Sequence, residues 1–244
     1  MHDFRVLKRL FGSSCAGSGD VSIVLPLTDP SHASAAASAV ARAFPTYSLK
    51  TNAPTVPNVT VALVGATLAD VERASLAAAG VRHAMALVDA PTSELNTTAF
   101  VAEAGAVFAA LKEDACGSDV SIKVIEGEAL KAAGLGGIYG VGKAASHPPA
   151  LVILSHTPPT ATKSVVWVGK GIVYDTGGLS IKSKEGMPGM KTDMGGAAAV
   201  LAAFDAAVRA GPADGVALHA LLCLAENSIS DNATRPDDVH TFFS

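Results

Sequence analysis

The chain has 244 residues, 49% apolar and 16% charged, which excludes a disordered or coiled-coil protein and leaves ample length for a buried core. With 22 acidic against 18 basic residues, the formal charge is −4; no basic face of the kind that grips phosphate backbones is implied, and nucleic acid is not an expected partner. The mean hydropathy of +0.37 comes mainly from alanine, in runs such as Ala35–Ala37 and Ala197–Ala199, and no apolar stretch approaches the roughly 18–20 residues of a membrane span.

Arg5, Lys8 and Arg9 lend the N-terminus positive charge, but Gly12-Ser13-Ser14-Cys15 follows instead of an apolar signal core. Val21–Leu25 reads as a strand ending at Pro26. Asp29-Pro30 starts an alanine-rich helix over Ser31–Phe44, stopped before Pro45, and Val59–Val64 reads as a second strand. Thr67 and Asp70 resemble a capping box, opening a helix that Gly80 closes; Met85–Val88 reads as a third strand. This β-α-β-α-β order predicts a small α/β domain over residues 1–88 with a partly parallel sheet.

Asp89-Ala90-Pro91 marks the boundary to a second α/β unit, residues 89–244. Phe100, Val101, Ala104, Val107, Phe108 and Leu111 share one face of a helix. Val120–Ile125 reads as a strand, Glu126–Ala133 as a short helix and Gly134–Gly142 as a glycine-rich loop. Leu151–Leu154, Val165–Val168 and Val216–Leu224 are continuous apolar runs, the pattern of strands covered on both faces. Between the last two lies a helix, about Ala197–Ala210, stopped by Gly211-Pro212.

Gly137 to Lys143 fits the first seven positions of a phosphate-binding P-loop, but Ala144 stands where a hydroxyl should hold magnesium, and the residues before it read as a helix, not a strand. The dinucleotide fingerprint grazed by Gly140–Ala145 fails for want of the same strand. Glycines turning a tight connection beside Pro148-Pro149 are the better reading. The cysteines Cys15, Cys116 and Cys223 form neither a disulfide framework nor a CxxC pair, which suits a reducing, cytoplasmic setting. The seven histidines show no metal-type spacing, and His156 and His219 read as satisfied core or loop residues.

Residues 167–197 carry the chemistry. An apolar strand runs into Lys170; Asp175 precedes Gly177-Gly178, Lys182 follows, and Asp193 stands before Gly195-Gly196 at a helix start. Charged groups at strand ends flanked by glycines sit where ligands approach closely. Two carboxylates there suit a divalent cation, and a lysine can join them as the neutral amine. The same residues also read as solvated Lys–Asp ion pairs. Lys170 and Asp175, five apart, fall on opposite faces of a straight strand and converge only if the chain bulges, with Gly171 the expected point.

Lys170 through Gly196 resembles the leucyl aminopeptidase family of dinuclear metallo-aminopeptidases, with its V-G-K-G…D-[ST]-G-G-[IL]-S-I-K…D-M-G-G signature. The match extends back through Leu135–Gly142, Pro148-Pro149 and Pro91–Thr98, and forward through Cys223–Asn227 and Arg235–Val239. Met187–Met190 and Asn232–Asp238 look most like the branch of probable aminopeptidase-like proteins. The resemblance implies a fold in which the small N-terminal α/β domain is followed by the first part of an α/β catalytic domain with a mixed sheet flanked by helices. It implies Lys170, Asp175 and Asp193 as ligands of two divalent cations, zinc or manganese, with Asp175 bridging. Lys182 is then the catalytic lysine that holds the developing oxyanion, and Ser180 and Met190 belong to the substrate pocket. Lys184, Glu185 and Lys191 match no functional position.

The same resemblance implies peptide substrates with a free N-terminus, a cytoplasmic homohexamer and hydrolysis by a metal-activated water. The family's second signature, N-T-D-A-E-G-R, with a further aspartate, a glutamate and an arginine, is expected just beyond Val239–Ser244 and has no counterpart here; Arg235, Asp237 and Asp238 do not replace it. The chain therefore reads as incomplete in its catalytic domain. The alternative from another class is a catalytically inactive subunit that associates with full-length aminopeptidase chains, and a truncated sheet is expected to leave an apolar face or strand edge open.

Overall fold

The computed structural model describes residues 20–44, 47–49, 51, 58–114 and 119–243. The readings made on Arg5, Lys8, Arg9, Gly12–Cys15, Pro45 and Cys116 lie outside them. The chain divides into two compact units, Met1–Ala86 and Leu87–Ser244.

In the first unit, β1 (Val21–Pro26) and β2 (Val59–Val64) pair in parallel, from Val21↔Val59 to Pro26↔Val64. Parallel pairing needs a crossover, which α1 (Ala33–Ala43) supplies after a 3-10 turn at Pro30–His32, whose Ser31 N–H is capped by the Asp29 carboxylate. Ile23, Val40, Ala43 and Phe44 form one buried cluster, and Ala33, Ala37 and Ala74 another. Helix α2 (Leu68–Asp89) opens on the reciprocal cap read from the sequence: Thr67 N–H donates to Asp70 Oδ2 (3.0 Å) and Asp70 N–H to Thr67 Oγ1 (3.3 Å).

Two readings of this unit are corrected. Gly80 does not close α2, and Met85–Val88 is helical, not a third strand. From Leu76 to Asp89 the chain has no proline and is dominated by Ala, Leu, Met and Arg, so the roughly 1 kcal/mol cost of one interior glycine does not break a 22-residue helix. The described sheet is accordingly two-stranded.

In the second unit, Asn96 caps α3 (Thr97–Glu113) by accepting from Ala99 N–H (2.9 Å), and the helix buries Phe100, Ala104, Val107 and Leu111 of the predicted face. The sheet is mixed, in the order β3 (Val120–Glu126), β4 (Ala150–His156), β6 (Val216–Asn227), β5 (Lys163–Asp175). The first two pairings are antiparallel, and β5 runs parallel to β6. Between β3 and β4 lie two short helices, α4 (Glu128–Ala132) and α5 (Gly136–Gly142); between β5 and β6 the crossover helix α6 (Gly195–Ala210) buries Leu201, Phe204 and Val208. Gly211, at φ 77°, ends α6 where the sequence placed the stop.

The segment read as a glycine-rich loop is α5. Packing overrides propensity here: a Cβ at Gly142 would sit 2.4 Å from Pro149 Cβ, so this helix needs its small residues to lie against the chain that enters β4. The tight approach to Pro149 is the one the sequence suggested, in helical form. The run Val165–Val168 is not covered on both faces: β5 is an edge strand of the described sheet, and Val168 is 62% exposed. Burial on β5 begins at Gly169, where α6 reaches it.

Candidate functional site

Glycine on both sides of one contact creates the site. A Cβ at Gly169 would lie 2.6 Å from Ala197 Cα, and one at Gly196 would lie 3.1 Å from the Lys170 backbone N and O. Only bare backbone lets the first turn of α6 rest directly on β5. Asp193, which stands just ahead of α6 at the end of a 3-10 turn (Met190–Thr192), is thereby brought to Lys170, with Nζ 3.1 Å from Oδ2. The adjacent helix N-terminus favours negative charge at this position.

Beyond Lys170, β5 bulges. Ile172 pairs with Ala225 and Asp175 with Asn227, so β5 carries one more residue than β6 over that interval. The expected bulge at Gly171 is thus displaced to 172–175. Gly171 keeps its register opposite Leu224, and the close-packed surroundings that a Cβ there would strike (Leu224 Cδ2 at 2.6 Å) leave it no freedom. The Thr92 hydroxyl donates to the Val173 carbonyl in the bulge (3.0 Å).

The bulge delivers Asp175 to a turn through Gly177 (φ 85°) and Gly178 (φ 61°). Asp175 Oδ1 accepts from Asn227 Nδ2 (2.7 Å) and from Gly177 N–H (3.0 Å), while Oδ2 faces Lys182 Nζ at 3.0 Å. The turn is closed by Lys182 N–H donating to the Thr176 carbonyl (2.9 Å) and by Thr176, whose N–H and hydroxyl both donate to the Asn227 carbonyl. Partial burial pushes the Asp175 carboxyl up; the hydrogen bonds from Lys182, Gly177 and Asn227 outweigh it and hold the group below its ordinary value.

The four charged residues singled out in the sequence are therefore paired two by two, Lys170 with Asp193 and Lys182 with Asp175. Ser180 is exposed in the turn, and Met190 is half-buried and accepts from Asp193 N–H (3.3 Å). Lys184 and Glu185 are exposed, as read, whereas Lys191 donates through Nζ to the Asp89 carbonyl. Asp238 accepts from Arg235 N–H (2.9 Å), a local turn contact. His219 Nδ1 lies 2.8 Å from Ser155 Oγ and His147 Nδ1 3.2 Å from Thr98 Oγ1. Among the described residues no group of three or more His, Cys, Asp or Glu converges as a metal cluster. The two contacts each set a carboxylate beside a lysine amine, and the chemistry of those donors fits part of a divalent-cation site.

Two residues of this arrangement escaped the sequence reading of roles. Asn227 closes an apolar run inside Cys223–Asn227, and a polar pair at the carboxyl end of a buried strand was the available signal. Thr92 lies in Pro91–Thr98, and nothing local marks its hydroxyl as a partner for residue 173.

The four charged residues thus stand at the bulged end of β5, in the turn that follows it and at the start of α6, in an α/β unit built on a mixed sheet. The model of the cytosol aminopeptidase family, catalytic domain, matches residues 82–244, and the chain belongs to that family. It is 48% identical over 243 residues to the human probable aminopeptidase NPEPL1, an alignment covering 95% of this chain and 44% of the relative. The solved leucine aminopeptidase LAP1 of Caenorhabditis elegans superposes with a TM-score of 0.82 at 43% identity, over 92% of this chain and 44% of that one. The bottromycin maturation enzyme BotP in complex with Mn superposes with a TM-score of 0.72 at 31% identity, over 90% of this chain and 47% of that one. The chain thus spans less than half the length of the relatives it matches. No described helix is long and apolar enough to cross a membrane.

Proposed function

We propose that residues 89–244 form the first part of the catalytic domain of an aminopeptidase that removes N-terminal residues from peptides. In this reading Lys170, Asp175 and Asp193 would hold two divalent cations, zinc or manganese, and Lys182 is the catalytic lysine. The observation that carries it is the pair of Lys–Asp contacts at the bulge of β5 and the start of α6. The manganese complex of BotP supports the choice of metal.

Bound divalent cations would supply Lewis acidity and a water that ionises near neutral pH. Lys170 would serve as a neutral amine, its proton displaced by the cation's charge. Asp175 Oδ2 stands 3.0 Å from Lys182 Nζ and fixes its position. When a peptide is bound, the Lys182 ammonium donates to the scissile carbonyl oxygen and stabilises the negative charge that develops there. Ser180 and Met190, flanking the two ligand segments, would line the pocket for the departing residue. A cytoplasmic homohexamer belongs to the same reading.

The test is hydrolysis of leucine amide, with added Mn²⁺, by the whole protein of which these residues form the first part, together with Mn²⁺ binding followed by electron paramagnetic resonance. Lys182→Ala should lower kcat about 10²–10³-fold and leave Mn²⁺ affinity within a few-fold. Asp175→Asn and Lys170→Met should each weaken Mn²⁺ binding about tenfold or more. Turnover unchanged in Lys182→Ala, or Mn²⁺ affinity unchanged in Asp175→Asn, overturns the assignment.

A further inference from the structure

We infer that Asn227 is a positioning residue that sets the carboxylate plane of Asp175 for cation binding, an inference that rests on the metal role proposed above for Asp175. Nothing in its composition or neighbours marks Asn227 as a ligand: it lies at the last position of β6, in register with Asp175 once the bulge has added its extra residue. Its amide nitrogen stands 2.7 Å from Asp175 Oδ1, at the short end for a donor to a carboxylate. The Gly177 N–H takes the same oxygen at 3.0 Å. Two donors on Oδ1 stop rotation about the Cβ–Cγ bond and turn Oδ2 to the side where Lys182 lies.

The donor is itself held. The Asn227 carbonyl accepts from Thr176 N–H (3.1 Å) and Thr176 Oγ1 (2.6 Å), so strand end and turn are locked together. On the far side of the amide, a Cβ at Gly178 would lie 2.9 Å from Asn227 Oδ1, so the bare glycine leaves the room in which the amide can present its nitrogen to Asp175. A neutral amide suits this task for an electrostatic reason. It orients the carboxylate without cancelling the charge that a cation needs, whereas a lysine or arginine in its place would compete for the same oxygen.

Asn227 does two separable things: its side chain holds Asp175, and its carbonyl anchors Thr176. Asn227→Ala removes the first and keeps the second; Thr176→Val removes the hydroxyl's share of the second and keeps the first. Mn²⁺ affinity is measured by electron paramagnetic resonance on the intact protein, with thermal unfolding to confirm folding. Asn227→Ala should weaken Mn²⁺ binding about 10–100-fold, and Thr176→Val by less than threefold. Equal losses in the two variants, or none in Asn227→Ala, overturn the inference.

A second readout separates this from failure of the metal reading. If Asp175→Asn binds Mn²⁺ as the native protein does, the metal role falls, and positioning is decided in metal-free protein by nuclear magnetic resonance. Asn227→Ala should then shift the Asp175 carboxyl carbon and the Gly177 amide, and Thr176→Val should leave the Asp175 carbon in place. Unmoved Asp175 and Gly177 signals in Asn227→Ala overturn the inference there too.

Discussion

The contact between β5 and α6 makes a sharp prediction through Gly169→Ala. The added Cβ would start 2.6 Å from Ala197 Cα and 2.8 Å from Ala197 N and Gly196 O, all backbone atoms that cannot swing aside. Ordinary contact begins near 3.4 Å, so strand and helix must separate by about 0.8 Å. Forced overpacking of this kind costs about 1–3 kcal/mol, and for a chain of this size each kcal/mol moves Tm by roughly 2–4 °C. A fall of about 2–12 °C is expected in a thermal melt followed by circular dichroism. The matched control is Gly105→Ala in the interior of α3, where a Cβ meets nothing within 4 Å. Alanine there gains roughly 0.5–1 kcal/mol of helix stability, so its Tm should rise. Because the same shift carries Asp193 away from Lys170, Gly169→Ala should also weaken Mn²⁺ binding, and Gly105→Ala should not. A Gly169→Ala protein that melts within 1 °C of the native one would refute the reasoning.

Two further predictions concern pH. Asp175 sits below its ordinary value in the folded chain, so the unfolded state binds the proton more readily, and stability rises with pH across that interval. Its contribution is present above about pH 4, the unfolded carboxyl range, and is lost as pH falls through the lower folded value. Urea unfolding should show Asp175→Asn destabilised at pH 7 by on the order of 1 kcal/mol, with the difference from the native protein shrinking on acidification; a constant difference from pH 7 down to pH 2 contradicts it. Glu226 has the opposite sign: burial pushes its carboxyl up, with the charge on His147 opposing. The folded state favours the protonated form, so this group's stabilising share is present below about pH 4 and lost as pH rises through the folded value. Glu226→Gln should raise Tm at pH 7 by on the order of 2 °C and give no gain at pH 4, and a gain at pH 4 equal to that at pH 7 would point to packing instead.

What the sequence determined alone was whatever depends on near neighbours. The strands β1, β2 and β3, the reciprocal Thr67–Asp70 cap, the buried face of α3 and the stop of α6 at Gly211 follow from periodicity, side-chain reach and glycine's tolerance of positive φ, all within a few residues. The charged segment Lys170–Asp193 was legible for the same reason: Lys170, Asp175, Lys182 and Asp193 and their glycines lie within one short stretch, and the family signature runs through it.

Tertiary structure decided what depends on distant chain. Helix α2 ran through Gly80, and Gly134–Gly142 became largely helical against Pro149, because packing outweighed local glycine propensity. The bulge moved from Gly171 to 172–175 because Leu224 and Ala197 hold Gly171 in register. Which lysine meets which aspartate depends on α6 folding back onto β5, a contact that spacing along the chain does not encode. Asn227 and Thr92 reach Asp175 and Val173 across 52 and 81 residues. Their partners are set by strand register and bulge, long-range features that emerge only when β5 and β6 are paired.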